Sequence, residues 1–316
     1  MLEKYTVNPS VNISGSICVP GDKSISHRSL ILLSISNGIG VISGLLESDD
    51  CMATLKIFKM LGVTITKNIN NTYTVHGKGL NGLKKTNNDL DCGNSGTSMR
   101  LLAGLLAGQK FNSSLVGDES LFKRPMERIS SPLKMMGANI TLSKNNTAPI
   151  LIKPVKKISG IDYKMKIDSA QIKSSIILAS LYSSEETNIY ENMPTRDHTE
   201  NMINFLGGNI IKSENIITIN PKNKLVSKDI DIPGDISSAM FIIVGCLISK
   251  ESEVLIKNVG LNKLRTGGIQ ILKMMGASIK IINKKTYGPE IVGDIVVKSS
   301  LLKGIDIPDK YIASAI

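Results

Sequence analysis

Ten residues near the amino end combine two cations, several hydroxyls and a helix start. In GDKSISHRSL (21–30), Asp22 is a good helix-capping residue, and the apolar residues that follow predict a helix. Lys23, Ser24 and Arg28 then lie in its first turns. Because a helix amino end attracts anions, these side chains predict a site for a phosphate or carboxylate. The alternative is an ordinary capped surface helix, since such patterns also arise by chance.

Similar helix starts recur along the chain. They are CGNSGTSMR (92–100), RPMER (124–128), DSAQIKSS (168–175) and TRDHTE (195–200). The polar or small residues that they supply are Asn94, Ser95, Gly96, Thr97, Arg100, Arg124, Arg128, Ser169, Gln171, Lys173, Arg196, Asp197 and His198. If these helix ends meet on one face, their dipoles and cations converge on one pocket. Such a pocket suits a small substrate with more than one anionic group.

Arginine is rare in this chain. Of 38 Lys and Arg residues only six are Arg, namely Arg28, Arg100, Arg124, Arg128, Arg196 and Arg265. We interpret this as a compositional bias that has placed Lys wherever either cation would serve. The remaining Arg residues then mark positions where a planar, bidentate donor matters. For Arg128 and Arg265, retention by chance is the alternative.

The elements that must position these residues come from an internal repeat. One helix ending occurs four times, in FKMLGVTI, LKMMGANI, INFLGGNI and LKMMGASI. Each predicts an amphipathic helix, a glycine that ends it in the left-handed conformation, and a strand. The glycines Gly62, Gly137, Gly207 and Gly276 are 75, 70 and 69 residues apart. The chain is therefore predicted to consist of repeated units.

Each unit also begins with capping residues and an apolar helix. The order strand, helix, strand, helix and closing strands predicts an α/β fold of repeated βαβαββ units. Segments 68–76 and 210–219 contain the predicted closing strands. Core packing is predicted for the methionines that precede the glycines, namely Met60, Met135, Met136, Met274 and Met275.

The composition is that of an ordinary globular protein. With 41% hydrophobic residues in 316, the chain can bury a large core, and its length suggests two domains. The amino end lacks a signal-peptide pattern, and the longest apolar run (240–248) is far shorter than the roughly 20 residues that cross a bilayer. We therefore expect a soluble, cytoplasmic protein without a membrane partner.

The charge distribution and the cysteine spacing indicate which classes of partner and site to exclude. The net charge is +11, but the cations are spread along the chain and only 4% of residues are aromatic, so we expect no nucleic-acid partner. Cys18, Cys51, Cys92 and Cys246 show neither a CxxC pair nor metal-ligand spacing. We expect reduced core thiols, no metal, no cofactor and a monomer.

Seven motifs follow one another along the chain. They are PGDKSISHRSLIL, DCGNSGTSMRLLAGLLAG, GDESLFKRPMERI, DSAQIKSS, TRDHTENMI, PGDISSA and LRTGG. Together they resemble the enolpyruvyl transferase family, and most closely its shikimate branch, from about Ser10 to the last residue. The resemblance implies two lobes, each of three βαβαββ units in an inverted α/β barrel arrangement. It predicts a complete first lobe at 21–235 and a partial second lobe from 1–20 and 236–316.

The resemblance also implies a reaction and its site. The carboxyvinyl group of phosphoenolpyruvate would be transferred to the 5-hydroxyl of shikimate 3-phosphate with release of phosphate, on the shikimate pathway towards chorismate and aromatic amino acids. The residues matching the shikimate 3-phosphate site are Lys23, Ser24, Arg28, Ser169, Ala170, Gln171 and Arg196. Those matching the phosphoenolpyruvate site are Lys23, Asn94, Gly96, Arg124 and Gln171.

Two of these positions carry a specific expectation. Lys23 would contact both substrates and is the candidate catalytic residue, which stabilises phosphate charge or shuttles a proton. Ala170 stands where other family members carry a second Ser, so one hydroxyl contact to the phosphate is lost.

The carboxyl end departs from the family pattern. After the fourth unit the pattern predicts the start of a fifth, and the sequence stops at IASAI (312–316). The acid/base Asp of the family, its Glu, and further Arg and Lys residues would follow that point. We therefore expect a truncated chain that binds shikimate 3-phosphate weakly at best and does not turn over.

Two other functions compete with this reading. The sister enzyme that acts on UDP-N-acetylglucosamine shares the fold, but KSISHR and RPM resemble the shikimate branch, and Cys92 is the only Cys near a possible catalytic loop. A non-catalytic basic repeat protein would bind nucleic acid with a steep salt dependence and would ignore phosphoenolpyruvate.

Overall fold

The structure is a computed structural model that describes residue 6, residues 12–221 and residues 224–315. These residues form two compact units: a larger one from Gly21 to Ile232, and a smaller one from the residues up to Pro20 and from Pro233 onward. Sequence predictions that fall on Ser10, Val11 and Ile316 lie outside the described residues. None of the described helices combines the length and apolar character needed to cross a bilayer.

The first strand of the chain, β1 (Ser14–Cys18), belongs to the smaller unit. The larger unit contains three repeats. The first comprises α1 (Lys23–Ser34), β2 (Asn37–Ser43), α2 (Asp49–Met60), β3 (Thr64–Lys67) and β4 (Tyr73–Lys78). The second comprises β5 (Leu90–Asp91), α3 (Gly96–Ala107), β6 (Ser113–Val116), α4 (Glu119–Phe122), α5 (Glu127–Met135), β7 (Asn139–Thr141) and β8 (Ile150–Lys153).

The third repeat ends with an extra strand. It comprises β9 (Asp162–Lys164), α6 (Ala170–Ser180), β10 (Thr187–Tyr190), α7 (His198–Phe205), β11 (Ile210–Ser213) and β12 (Ile216–Ile219), followed by β13 (Ile230–Asp231). The smaller unit adds a fourth repeat. After β1 it comprises α8 (Ile236–Ile248), β14 (Glu253–Gly260), α9 (Gly267–Met274), β15 (Ser278–Tyr287), β16 (Glu290–Lys298) and α10 (Asp309–Ala315).

The four sheets that the described residues form have the same topology. Their strand orders are β13-β2-β4-β3, β5-β6-β8-β7, β9-β10-β12-β11 and β1-β14-β16-β15. In each sheet the first two strands are parallel and the remaining pairs are antiparallel. This is the order that a βαβαββ unit produces, because a helical crossover joins parallel strands and a hairpin joins the last two. The predicted α/β fold of repeated units is therefore confirmed.

The first sheet takes its first strand from the far end of the three repeats. Ile230 in β13 lies opposite Ile42 in β2, in parallel register. The strand that directly precedes α1 in the chain is β1, and it pairs with β14 in the smaller unit. The strand β13 therefore completes the sheet of the first repeat.

The four predicted helix endings adopt the left-handed conformation. The φ angles are 84° at Gly62, 89° at Gly137, 94° at Gly207 and 97° at Gly276. A side chain would be strained at each of these positions, which explains why glycine recurs there.

The first helix of each repeat in the larger unit lies in the core. Almost every residue of α1, α3 and α6 is buried, which fits their apolar runs. Buried serine hydroxyls on these helices donate hydrogen bonds to the carbonyl four residues earlier. Ser34 donates to Leu30 at 2.6 Å, and Ser180 donates to Ile176 at 2.8 Å. This local bonding satisfies the hydroxyls inside an apolar environment.

The methionine and cysteine predictions are partly wrong. Met136 is fully buried, but Met135 and Met274 are 57% and 42% exposed, because they lie on the outer side of amphipathic helices. Cys51, Cys92 and Cys246 are buried free thiols, whereas Cys18 is exposed. Cys18 lies on β1, the edge strand of its sheet. Burial raises the pKa of the Cys51 thiol to about 11.

Helices α3 and α6 pack closely against each other at Gly104. A Cβ atom at this position would lie 2.0 Å from the carbonyl oxygen of Ser175. We expect Gly104→Ala to lower the free energy of unfolding by about 2 kcal/mol, because a clash with backbone cannot be relieved by side-chain rotation. Urea unfolding followed by circular dichroism measures this change.

A matched substitution tests the sign of that effect. Gly245 also lies inside a helix, but a Cβ there would meet nothing closer than Ile13 Cδ1 at 3.6 Å. Gly245→Ala should therefore stabilise its unit by about 0.5–1 kcal/mol through helix propensity. An equal gain in the free energy of unfolding on Gly104→Ala would show that α3 and α6 are not in close contact at this residue.

Candidate active site

Helix α1 begins at the predicted position and places Lys23 and Ser24 in its first turn. Asp22 caps the helix, since its Oδ1 accepts a hydrogen bond from the Ile25 amide at 2.9 Å. Lys23 Nζ forms an ion pair with Asp50 of α2, and the Lys23 side chain is 46% exposed. The ammonium group is thus held in place at this helix start while remaining accessible to an anion.

Arg28 lies beneath this helix start and joins three helices. Its Nε donates to Thr199 Oγ1 at 2.7 Å, one Nη donates to the Ser24 carbonyl at 2.9 Å, and the other donates to Ser174 Oγ at 2.9 Å. The residue is only 4% exposed. Arg28 therefore ties the start of α1 to α6 and α7, and its predicted contact with a ligand stays a prediction.

The start of α3 brings two guanidinium groups to a glycine. Ser95 caps the helix by accepting a hydrogen bond from the Ser98 amide at 3.1 Å. A Cβ atom on Gly96 would lie 3.1 Å from one Nη of Arg100 and 3.1 Å from one Nη of Arg124. The absence of a side chain at Gly96 thus leaves room for an anion beside both cations.

Asn94 orients one of these cations. Its amide oxygen accepts from Arg124 at 2.6 Å, and its amide nitrogen donates to Asp118 at 2.6 Å. The Asn94 hydrogen bond is the main cause that lowers the pKa of the Asp118 carboxyl, with the Leu121 amide next and Arg124 a smaller contributor. Asn94 therefore links Arg124 to the start of α4.

Arg100 is a cation without an acidic partner among the described residues. It is 6% exposed, and its Nη1 donates to Gln171 at 2.6 Å. Burial, together with the positive charges of Arg128 and Arg124, lowers its pKa to about 10. Three clustered guanidinium groups of which one is buried without a counterion form a site that favours an anion.

The start of α6 lies against the start of α3. Gln171 accepts the hydrogen bond from Arg100 and donates to Thr97 Oγ1 at 3.1 Å. Ser169 is the N-cap residue, but its side chain makes no capping hydrogen bond, and Ala170 is the first helical residue. The hydroxyl of Ser169 is therefore not used in capping and can serve a ligand.

One expected cation does not join the cluster. Lys173 is completely buried, and its Nζ pairs with Glu191 at 3.1 Å and Glu200 at 2.7 Å. The expectation that Lys173 contributes charge to the pocket is wrong, because two carboxylates neutralise it. Arg196 is half-buried, in the segment that leads from β10 to α7.

A buried chain of polar side chains connects α1, α2 and α3. His27 Nδ1 lies 2.8 Å from Thr54 Oγ1, which lies 2.6 Å from Ser98 Oγ, and Ser98 Oγ donates to Ser95 Oγ at 2.8 Å. Burial, with Lys23 and Arg28 nearby, lowers the pKa of His27 to about 3. A neutral imidazole thus connects the Lys23 helix start with the cap of α3.

The family resemblance assigned Arg100 to neither substrate, and the sequence did not reveal the role of His27. Arg100 is one of the six arginines and lies in the helix start CGNSGTSMR, and these two signals had already placed it among the residues expected around one pocket. The partners of His27 are 27 and 71 residues away, and no local pattern reveals them.

Comparison with known proteins decides the family. The family model for EPSP synthase (3-phosphoshikimate 1-carboxyvinyltransferase) matches residues 7–311. The 3-phosphoshikimate 1-carboxyvinyltransferase of Hydrogenovibrio crunogenus is 48% identical over 319 residues, covering 99% of this chain and 72% of that protein. The chain belongs to the EPSP synthase family.

Other members of the EPSP synthase family agree. The protein of the same description from Legionella pneumophila (strain Corby) is 50% identical over 312 residues, again covering 99% of this chain and 72% of that one. The solved EPSP synthase of Acinetobacter baumannii superposes with a TM-score of 0.90 at 44% identity, covering 96% of this chain and 68% of that one. The predicted resemblance is confirmed, and the UDP-N-acetylglucosamine branch is not favoured.

Proposed function

We propose that this EPSP synthase family member is a transferase that moves the carboxyvinyl group of phosphoenolpyruvate to the 5-hydroxyl of shikimate 3-phosphate and releases phosphate. This is a step of the shikimate pathway towards chorismate and aromatic amino acids. The observation that carries the site proposal is the meeting of Arg100 and Arg124 at Gly96, with Gln171 bonded to Arg100. Each of the two substrates carries a phosphate and a carboxylate, and these anionic groups need several cations.

For shikimate 3-phosphate we propose a site on α1, α6 and the segment before α7. Its residues are Lys23, Ser24, Arg28, Ser169, Ala170, Gln171 and Arg196. The uncapped start of α6 offers amide groups and the Ser169 hydroxyl to the phosphate. Arg28 supports this site from below, since it bonds the Ser24 carbonyl and Ser174.

For phosphoenolpyruvate we propose the start of α3 and its arginines. The residues from the sequence prediction are Lys23, Asn94, Gly96, Arg124 and Gln171, and we add Arg100. Gln171 lies between the two sites because it bonds Arg100 and Thr97 and follows Ser169 on α6. It can thus contact both substrates.

The chemistry that these residues supply is charge and orientation. The reaction adds a proton to the methylene carbon of phosphoenolpyruvate and removes one from the attacking hydroxyl. Holding two anions in reacting geometry lowers the barrier by up to roughly 7–11 kcal/mol. Lys23 is ion-paired and partly exposed, so we assign it to stabilising phosphate charge rather than to carrying the proton.

Calorimetric titration of shikimate 3-phosphate into this chain tests the proposal. We expect binding, and we expect Lys23→Met to weaken it by about tenfold or more, since a charge-assisted contact contributes about 1.5–3 kcal/mol. Lys110→Met is the matched control. It removes the same charge from an exposed lysine whose Nζ donates to the carbonyls of Val155 and Lys156.

The outcomes separate the competing functions. Equal affinity losses in both lysine variants would show that binding follows net charge and not the helix starts. Binding of UDP-N-acetylglucosamine in place of shikimate 3-phosphate would indicate the sister reaction. Binding of an oligonucleotide with a steep salt dependence and no competition by phosphoenolpyruvate would indicate a nucleic-acid-binding protein.

We also propose that the protein works as a cytoplasmic monomer without a cofactor, membrane or nucleic-acid partner. The support is the nature of the reaction, since both substrates are small metabolites and the steps need only acid–base and electrostatic help. Size-exclusion chromatography with light scattering tests the monomer.

A further inference from the structure

The segment between β10 and α7 carries Arg196, and residues at the start of α6 hold it in place. The Asp168 carboxylate accepts hydrogen bonds from the backbone amides of Asn192 at 2.9 Å and Met193 at 3.0 Å. Asp168 directly precedes Ser169, the N-cap of α6. One end of the segment is therefore attached to the helix start that we assign to shikimate 3-phosphate.

The other end of the segment is held by two buried charged side chains. Glu191 accepts a hydrogen bond from the Thr195 amide at 3.0 Å and another from the Thr195 hydroxyl. Lys173, in the first turn of α6, donates to the Thr195 carbonyl at 3.1 Å and to Glu191 at 3.2 Å. Donor and acceptor groups of Thr195 are thus both engaged, one residue before Arg196.

These charges are buried deeply enough to be costly. Lys173 is 0% exposed, Glu191 4% and Glu200 3%. A buried ion group of this kind is often no more stabilising than apolar residues of the same volume. The hydrogen bonds from this ion group to Thr195 also fix the position of the backbone at that residue.

We propose that Glu191, paired with Lys173, is a positioning residue for ligand binding: it fixes Thr195 and so sets the place of Arg196 relative to Ser169 and Gln171. This inference rests on the proposed function, because it assigns Arg196 to shikimate 3-phosphate. Glu191 acts through the segment and does not touch the ligand.

The ion group supplies a matched pair of variants. Two carboxylates share one ammonium group, so removing either leaves a one-to-one buried pair. Glu191→Met removes the acceptor for Thr195, whereas Glu200→Met removes a carboxylate for which the structure gives no bond to the Arg196 segment. We expect Glu191→Met to weaken shikimate 3-phosphate binding about tenfold in calorimetric titration, and Glu200→Met to leave it within about twofold.

Two further variants separate positioning from general destabilisation. Glu191→Gln keeps an acceptor oxygen for the Thr195 amide and should restore most of the affinity. In an Arg196→Met background, Glu191→Met should weaken binding by less than about twofold, because the group that it positions is gone.

Several results would overturn the inference. One is that Glu191→Met binds shikimate 3-phosphate with unchanged affinity, whereas Arg196→Met binds it more weakly. Another is equal affinity losses in Glu191→Met and Glu200→Met that follow their melting temperatures. If Glu191→Met does not fold, an unchanged affinity on Thr195→Pro, which removes the amide donor, contradicts the inference equally. If the unsubstituted chain does not bind shikimate 3-phosphate, the proposed function fails first, and this inference fails with it.

Discussion

Lowering the pH from about 7 to 4 is expected to cost the unsubstituted protein about 3 kcal/mol more unfolding free energy than a His27→Asn variant. His27 is fully buried with its Nε2 unbonded, and burial first, then Lys23 and Arg28, lower its pKa from 6.5 to about 3. In the native state the imidazole stays neutral through this range, whereas in the unfolded state it takes up a proton below pH 6.5. Acid therefore favours unfolding, and the loss develops as the pH falls from 6.5 towards 3.

Urea titrations at several pH values measure this dependence of the unfolding free energy on pH. The Asn variant keeps a polar atom near the position of Nδ1, next to Thr54, but cannot take up a proton. Any cavity that it creates shifts its stability equally at every pH, and the other titrating groups are common to both proteins. Parallel pH profiles for the two proteins would show that His27 is not held neutral by its surroundings.

Arg100→Met is expected to weaken phosphoenolpyruvate binding, in the presence of shikimate 3-phosphate, by about a hundredfold, or about 3 kcal/mol. Arg100 is buried, it has no carboxylate partner in the described part of the chain, and one of its Nη atoms approaches Gly96 together with Arg124. An incoming carboxylate or phosphate is then its counterion. Calorimetric titration measures the loss.

The same substitution should raise the stability of the ligand-free protein. The pKa of Arg100 is lowered to about 10 in the native state, so its charge is less favourable there than in the unfolded chain, at every pH below about 10. Arg100→Met removes that cost, and Lys110→Met serves again as the control of equal charge. A loss of both affinity and stability would contradict this account, since it would indicate that Arg100 mainly supports the fold.

Much of the site was visible in the sequence because its signals are local. Asp22 and Ser95 are capping residues next to the helices that they cap, and Gly62 ends its helix in the left-handed conformation that a Cβ would strain. Such signals depend on backbone geometry within a few residues. From these signals the sequence predicted three helix starts and the strand that follows each helix ending.

Other features depended on which distant segments pair. The strand β13 completes the first sheet by pairing with β2, about 190 residues earlier in the chain. Lys173 has the same sequence context as a surface cation at a helix start, but Glu191 and Glu200 surround it in the folded chain. Neither fact has a signature in a window of ten residues.

By itself, the sequence determined the repeat, the α/β class, the helix starts and the family. The tertiary structure alone decided that Arg100 and Arg124 meet at Gly96, that Lys173 is neutralised, and that His27 is neutral within the core. The physical reason is that capping and helix-ending preferences act between neighbours in the chain. Charge, burial and pKa are set instead by whichever atoms folding brings together, and these come from residues that are distant in the sequence, as Glu200 is from Lys173 and Ser98 is from His27.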